Sequence, residues 1–375
     1  MERKNKLTAL ISLRFFFALR VFASHLKPLI GDNYVYNWIY DNVLFVPFGV
    51  SFFYILSGFV LSYSYRDRFI DNSKLLGDFY LDRFIRIYPL HIMTFLIIMP
   101  ISDELYYFGN IIGWFTKIFS SIFLMQSFIP LRSVYFSYNG PSWSLSNALW
   151  FYAIFPFVVI LLKKITIKRV VYILGGLFIV MPFLMISVDK EFQHWLFYIN
   201  PLFRSIDFIL GIILFEIYEK LKCLNIDKRY YSVMEVGSII AFVIYIAMCR
   251  AIPEVIRDSY SNWLPLCLII ISFSFEKGVI SKMFLKNKLL LSLGSVSFGI
   301  FIFHNVVIKY FTFLNNYLGI KEPFIIVAIA FIATVGISFL SANYLERNIG
   351  RYLKCKIKSF VNSNYIRRLQ TYRLR

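Results

Sequence analysis

The chain has 375 residues, of which 59% are hydrophobic and only 16% are charged, with a mean hydropathy of +0.66. This composition is too apolar for a soluble domain of that length. The net charge of +19 would suit a nucleic-acid partner, but the basic runs lie in short loops between apolar segments, so the charge indicates membrane orientation and no nucleic-acid partner.

Apolar runs of about 20 residues recur along the whole chain. They predict an all-α fold, a polytopic membrane helical bundle, because helices satisfy their own backbone hydrogen bonds in lipid. About 10 transmembrane helices are predicted. Their ranges are 7–29, 42–64, 84–102, 142–162, 170–188, 197–218, 231–249, 262–275, 289–308 and 323–345.

One further apolar segment, residues 110–130, is predicted to be re-entrant or interfacial on the outer side of the membrane. With ten spans and a cytoplasmic N-terminus, most of the 40 Lys and Arg residues fall on the cytoplasmic side. A true crossing at 110–130 is the alternative, and it would move every later basic loop outside. We therefore expect a multi-pass protein with both termini cytoplasmic.

The first predicted helix carries two ionisable residues, Arg14 and His25, on one face. Eleven residues at about 100° each return to within about 20° of the start, and the two residues lie about 16 Å apart along the axis. Ionisable groups inside a membrane usually face a polar pathway. A cation near one side could hold a phosphate, and a histidine further along could act as a general base. The alternative is a capping arginine and a hydrogen-bonded interfacial histidine.

This pair, Arg14-x10-His25, resembles the first helix of the integral-membrane acyltransferase-3 family, and further segments resemble that family in the same order. VSFFYILSGFVLSYSY is similar to its F-F-x-L-S-G-F segment, and YLDRFIRIYPLH is similar to R-x-x-R-I-x-P-x-Y. The segments are 9–30, 50–65, 80–91, 141–156, 200–214, 293–304 and 343–353. The resemblance covers nearly the whole chain. It implies a membrane acyltransferase domain at 1–353, followed by a basic cytoplasmic tail at 354–375.

The resemblance implies an acyl-CoA donor, most simply acetyl-CoA, whose phosphates would contact Arg14, Arg83 and Arg86. Guanidinium groups fork onto phosphate oxygens, which suits this role. The alternative for Arg83 and Arg86 is ordinary anchoring at the cytoplasmic membrane surface. No metal is required, because a thioester is already activated, and the four scattered cysteines form no zinc or disulfide pattern.

Several other residues are expected to bind substrate or to support the site. Ser57 precedes Gly58, and small residues in a span also favour close helix packing. The spacing of three residues between Arg204 and Asp207 predicts a local ion pair. The alternative is that both residues line a substrate pathway. His304 would orient a catalytic partner or the acceptor, or form a structural hydrogen bond. The remaining candidates are Trp143, Ser144 and Ser146.

The chain departs from the family pattern at Ala148, where the family carries glutamate in W-S-L-S-x-E. A methyl group cannot accept a proton or bind a sugar hydroxyl. Either another carboxylate serves the chain, or a glutamate has been replaced here. We favour replacement because the flanking residues are intact, and the chain should then be weakly active or inactive.

The function that the resemblance implies is transfer of an acyl group, most simply acetyl, to a hydroxyl of an extracytoplasmic polysaccharide or lipid-linked glycan in a bacterial inner membrane. His25 is the candidate general base, and a route through acyl-His25 stays open. The partners expected are the acceptor glycan and membrane lipids, with the oligomeric state undetermined. The alternatives are a glycan transporter or flippase, and a non-catalytic partner in glycan assembly.

Overall fold

The computed structural model is a helical bundle and describes residues 6–71, 76–102, 111–224, 226–318, 322–357 and 359. No strand occurs within these ranges. The α-helices in chain order are α1 Thr8–Ser24, α2 Lys27–Ile30, α3 Tyr34–Ile39, α4 Phe48–Asp71, α5 Leu76–Ile98, α6 Ile111–Ile122, α7 Arg132–Tyr135, α8 Trp143–Lys163, α9 Ile167–Ser187, α10 Lys190–His194, α11 Pro201–Lys222, α12 Lys228–Met248, α13 Glu254–Arg257, α14 Trp263–Ser274, α15 Lys288–Ser295, α16 Ser297–Leu318 and α17 Pro323–Leu340.

Seven helical stretches among the described residues are long and apolar enough to cross a membrane. They are Phe48–Phe69, Leu76–Ile101, Gly140–Lys163, Lys190–Lys222, Lys228–Ala251, Ser297–Asn315 and Pro323–Ile357. The other three predicted spans coincide with α1, α9 and α14. The predicted helical membrane bundle is therefore confirmed, while ten crossings remain a prediction. Of the predicted tail at 354–375, residues 358 and 360–375 lie outside the described residues.

Two predicted spans differ from the helices observed. A single helix at 289–308 is wrong, because the chain leaves helical geometry at Val296 (φ −98°, ψ 7°). On either side of this break α15 packs against α1, whereas α16 packs mainly against α17. The span predicted at 42–64 begins late, at Phe48, because Pro47 disfavours helical geometry in the residue before it.

The segment predicted to be re-entrant or interfacial, at 110–130, forms no continuous spanning helix in its described part. Its helix α6 has 12 residues and is therefore about 18 Å long, short of the roughly 30 Å hydrocarbon layer. A short 3₁₀ turn at Gln126–Phe128 and then α7 follow. This geometry fits the re-entrant or interfacial interpretation. Residue 110 lies outside the described residues.

Helices α4 and α11 pack with their backbones in very close approach. A Cβ added at Gly58 would lie 2.0 Å from the carbonyl oxygen of Phe208, and one added at Gly211 would lie 1.9 Å from that of Ile55. Only glycine allows the two backbones to approach this closely. Close helix packing, which was one interpretation of the Ser57–Gly58 pair, therefore accounts for Gly58.

The loops predicted to share one side of the membrane contact one another at the same end of the bundle. At the first end, which we call the basic end, Thr8 Oγ1 donates to Glu276 Oε1 at 2.8 Å and Lys354 Nζ lies 2.5 Å from Asp82 Oδ1. At the second end, the opposite end, Arg250 Nε donates to the Asp41 carbonyl at 3.1 Å. These contacts are the kind that the alternating helix directions of the sequence analysis lead one to expect, while the number of crossings stays a prediction.

Candidate active site

A cavity of about 160 Å³, which we call the arginine cavity, brings three of the predicted basic residues together. Arg14 reaches it from α1, and Arg83 and Arg86 reach it from α5 near the basic end. Ser57 on α4 also lines this cavity. Three positively charged side chains therefore converge where the sequence analysis expected a donor phosphate to bind.

Arg83 is held by aromatic contacts and retains an unused donor. Its Nη2 donates to the Tyr65 hydroxyl at 3.1 Å, and its guanidinium lies 5.9 Å from the ring centroid of Tyr152. Its buried Nε has no hydrogen-bond partner among the described residues. Within the same residues, neither Arg83 nor Arg86 pairs with a carboxylate within 4 Å. Such uncompensated guanidinium groups suit an anionic ligand.

One face of α8 forms a wall of the arginine cavity. Ser144, Ala148 and Tyr152 recur at intervals of four residues, and all three line it. Position 148, where the family carries glutamate, therefore lies beside the arginines and does not line the cavity that contains His25. A carboxylate at this position would face positive charge.

The second cavity, the histidine cavity, has a volume of about 380 Å³ and lies towards the opposite end. Its lining contains His25 from the end of α1, the aromatic rings of Trp143 and Tyr198, and the polar side chains of Asn305 and Lys309 on α16. The Trp143 and Tyr198 ring centroids are 5.2 Å apart.

The two cavities are adjacent and share two lining residues, Val50 and Phe301, which mark the junction between them. Arg14 and His25, predicted to share one face of the first helix, therefore open into adjacent cavities. A group carried through this junction would pass from the arginines to the histidine.

The hydrogen bonds of His25 determine which ring nitrogen can act as a base. Its Nδ1 lies 2.8 Å from the Val21 carbonyl oxygen, which can only accept a hydrogen bond, so Nδ1 carries the proton. The neutral ring then keeps the lone pair on Nε2. The side chain is exposed and lines the histidine cavity, so this nitrogen can meet a substrate.

His304 lies behind His25 and is fully buried. The two ring centroids are 4.9 Å apart, with the rings inclined by 62°. Nδ1 of His304 lies 2.5 Å from the Phe301 carbonyl oxygen, whereas its Nε2 has no hydrogen-bond partner among the described residues. His304 is absent from the lining of either cavity, so its contact with His25 suits a positioning role.

Arg204 and Asp207 form the ion pair that their spacing predicted, with Nε and Oδ2 separated by 3.3 Å and both side chains fully buried. Asp207 Oδ1 also accepts from Trp263 Nε1 at 3.2 Å. The guanidinium of Arg204 lies 5.1 Å from the ring of Tyr54, which lines the arginine cavity, and 5.5 Å from that of Tyr198. The pair therefore supports a wall of each cavity from behind.

The candidate Ser146 and two ionisable residues that were not candidates, Arg20 and His91, have structural partners away from both cavities. Ser146 is buried, with its Oγ 2.6 Å from Ser127 Oγ. Arg20 donates to the carbonyl oxygens of Leu44 and Val46, ahead of α4. His91, which occupies a family tyrosine position, donates through Nε2 to the Ser121 carbonyl at 2.8 Å.

The sequence analysis did not identify the residues at the junction, nor Asn305 and Lys309 on α16. Val50 and Phe301 are ordinary apolar residues in apolar helices, so no pattern marked them. Lys309 could have been found, because a lysine within a membrane-length apolar helix is unusual. Asn305 follows His304 directly and could have been considered with it.

Comparisons with known proteins agree with the resemblance drawn from the motifs. A family model described as an acyltransferase domain matches residues 7–343. The acyltransferase MdmB of Streptomyces mycarofaciens is 27% identical over 330 residues, which is 82% of this chain and 80% of that protein. No solved structure matches the chain. The family match spans both cavities, and the chain belongs to the acyltransferase-3 family of integral-membrane acyltransferases.

Proposed function

We propose that the chain transfers an acyl group, most simply acetyl, from acyl-CoA in the arginine cavity to a glycan hydroxyl in the histidine cavity. The observation that carries this proposal is the junction at Val50 and Phe301, which joins a cavity lined by three arginines to one lined by a histidine. Binding of the donor and chemistry on the acceptor would then occur on the two sides of this junction.

The donor binds through its phosphates to Arg14, Arg83 and Arg86. Charge-assisted hydrogen bonds from guanidinium to phosphate are among the stronger polar contacts in proteins. The pantetheine arm then extends towards Phe301 and places the thioester near the junction, within reach of the histidine cavity.

His25 acts as the general base. Its Nε2 takes the proton of the acceptor hydroxyl while the hydroxyl oxygen attacks the thioester carbonyl carbon. The tetrahedral intermediate collapses, the carbon–sulfur bond breaks, and an ester forms on the acceptor. The CoA thiolate leaves and is protonated by the imidazolium of His25. His304, 4.9 Å away between ring centroids, holds the imidazole in position.

The acceptor occupies the histidine cavity, where the aromatic rings of Trp143 and Tyr198 offer faces for sugar rings. In a bacterial inner membrane with a cytoplasmic N-terminus, this cavity would face outward. The donor would bind from the cytoplasm and the product would form on the extracytoplasmic side. This arrangement makes polysaccharides and lipid-linked glycans the proposed acceptor class.

Ala148 is proposed to reduce this activity. A carboxylate at that position would face Arg14, Arg83 and Arg86, where it could order the arginines around the donor. We therefore expect Ala148→Glu to increase acyl transfer.

The test compares four full-length proteins in detergent: this chain, Ala148→Glu, His25→Ala and the Ala148→Glu/His25→Ala double variant. Thiol release from acetyl-CoA and label reaching a crude surface-glycan fraction are measured together. Turnover by Ala148→Glu that is lost in the double variant supports the proposal. Folded proteins that release no thiol and label no glycan would instead point to a transporter or an assembly partner.

A further inference from the structure

The lining of the histidine cavity is positively charged. The described lining residues include one lysine, Lys309, and one histidine, His25. They include no aspartate or glutamate. Its volume of about 380 Å³ lies within the usual range of small-molecule sites, roughly 300–1,000 Å³. A ligand that fills this cavity therefore meets a cation without a neighbouring carboxylate.

Lys309 is not accounted for by an ion pair. It lies on the membrane-length helix α16, where ionisable residues usually pair or mark a substrate pathway. Its Nζ donates to the Tyr138 carbonyl oxygen at 3.2 Å, and within the described part of the chain no carboxylate lies within 4 Å of it. An ammonium group has three donors, and a neutral carbonyl does not compensate its charge.

Lys309 is also held in a defined position beside a second polar residue. Asn305, one helical turn earlier on α16, donates through Nδ2 to Asn139 Oδ1 at 3.2 Å. Asn139 in turn donates through Nδ2 to the Ile302 carbonyl at 3.1 Å. These bonds fix α16 against the segment that precedes α8. The ammonium and the amide therefore form one polar strip that faces the same cavity as His25.

We propose that the histidine cavity takes an acceptor that carries an anion, a phosphate or a carboxylate, close to the hydroxyl that is acylated, and that Lys309 binds this anion. The proposal rests on the proposed function, since that function places the acceptor in this cavity. Because Lys309 and His25 line one cavity of limited volume, the anion and the reacting hydroxyl belong to the same sugar or to adjacent units. A neutral glycan would leave the lysine uncompensated.

The experiment measures binding by isothermal titration calorimetry to the full-length protein in detergent. No acyl donor is added, but free coenzyme A is present at saturation so that it occupies the arginine cavity and the probes do not bind there. Three probes separate the two sources of anion: methyl glucoside is neutral, methyl glucuronoside carries a carboxylate and glucose 1-phosphate carries a phosphate. We expect at least one anionic probe to bind about tenfold or more tightly than the neutral probe, as a hydrogen bond to a charged group predicts. The tighter anionic probe identifies the source.

Three variants test whether Lys309 causes the preference for an anionic probe. Lys309→Gln should bind all three probes alike, while Lys309→Arg should retain the preference because it retains the charge. Lys190→Gln removes an exposed lysine at the start of α10 that does not line the cavity, and it should behave as wild type.

Equal affinity for the neutral probe and both anions, no measurable binding of either anion, or an unchanged preference in Lys309→Gln would each overturn the proposal. No acyl donor is present, so this result is independent of the thiol-release assay that tests the proposed function. Anion binding without thiol release would leave the lysine site standing and reject the acyltransferase mechanism. Thiol release and glycan labelling without any preference for an anionic probe would support the acyltransferase mechanism and reject the lysine site.

Discussion

The two cavities differ in charge, size and the chemistry that their side chains can perform. The arginine cavity, about 160 Å³, presents three permanently charged guanidinium groups, which bind anions but cannot act as bases near neutral pH. The histidine cavity, about 380 Å³, presents an imidazole with a free lone pair, a lysine and the aromatic rings of Phe136, Trp143, Tyr198 and Phe301. In the proposed function, recognition of the donor and activation of the acceptor therefore occur in separate cavities. Helix α1 contributes Arg14 to the first, and Val21 of α1 and His25 just after it line the second.

The comparison predicts that the largest single effect on chemistry comes from the histidine cavity. His25→Ala, made in the Ala148→Glu background, should lower kcat by about 10²- to 10⁴-fold, the usual contribution of a general base. The dissociation constant for acetyl-CoA should not change, because His25 does not line the arginine cavity. Steady-state kinetics and a direct donor-binding measurement check the two statements.

The matched control for this variant is His194→Ala. His194 is partly buried near the opposite end, with its Nδ1 3.1 Å from the Tyr135 hydroxyl, and it lines neither cavity. It should keep most of the activity. An equal loss of kcat in both histidine variants would remove the special role assigned to His25.

The second prediction concerns the ion pair that supports a wall of each cavity. Asp207→Ala leaves the buried guanidinium of Arg204 without its carboxylate partner, which typically costs about 3–5 kcal/mol. We expect a lower Tm in detergent and loss of both donor and acceptor binding, because Tyr54 and Tyr198 both lie against Arg204. A variant with unchanged Tm that loses only one of the two ligands would show that the pair serves a single cavity.

The third prediction sharpens the assignment of the donor to the arginine cavity. Arg83→Gln or Arg86→Gln should raise the KM for acetyl-CoA by roughly 10- to 100-fold, since each removes a charged contact to phosphate. With acetyl-pantetheine, which lacks these phosphates, wild type and both variants should perform alike.

Arg68→Gln is the control for these arginine variants. Arg68 is exposed, lies on α4 and does not line the arginine cavity. If Arg83→Gln raised the KM for acetyl-pantetheine as much as the KM for acetyl-CoA, Arg83 would act through the fold and not through the donor phosphates.

The smallest effect is expected at the junction of the cavities. Val50→Phe adds bulk where the cavities meet, and we expect about a tenfold lower kcat with acetyl-CoA binding unchanged. Val50→Ala should not lower kcat. Val43→Phe, at an exposed position outside both cavities, controls for the added ring. Full activity in Val50→Phe would argue that the acyl group does not pass this point.

Periodicity and local motifs were enough to predict the helical membrane bundle, the shared face of Arg14 and His25, and the arginine pair on α5. These features depend on residues close together in the sequence. The junction at Val50 and Phe301 depends on how two helices distant in sequence, α4 and α16, are placed, and apolar residues of this kind occur throughout such helices. No local pattern could therefore identify it.

Position 148 shows, within a single helix, the same limit of prediction from local sequence patterns. The motif that resembles the family marked Trp143, Ser144 and Ala148 together, but it did not indicate which way each residue faces. The helix instead separates them, because Trp143 lines the histidine cavity whereas Ser144 and Ala148 line the arginine cavity. The direction in which a residue faces was set by the packing of α8 against its neighbours.

Sidedness of the reaction tests the account most directly. The Ala148→Glu protein would be reconstituted into sealed vesicles, with a crude surface-glycan fraction trapped inside and acetyl-labelled acetyl-CoA added only outside. The account predicts labelled glycan inside the vesicles and free CoA thiol outside, because the two cavities open towards opposite ends of the bundle. Label that reaches glycan only when donor and acceptor share one side of the membrane would contradict it.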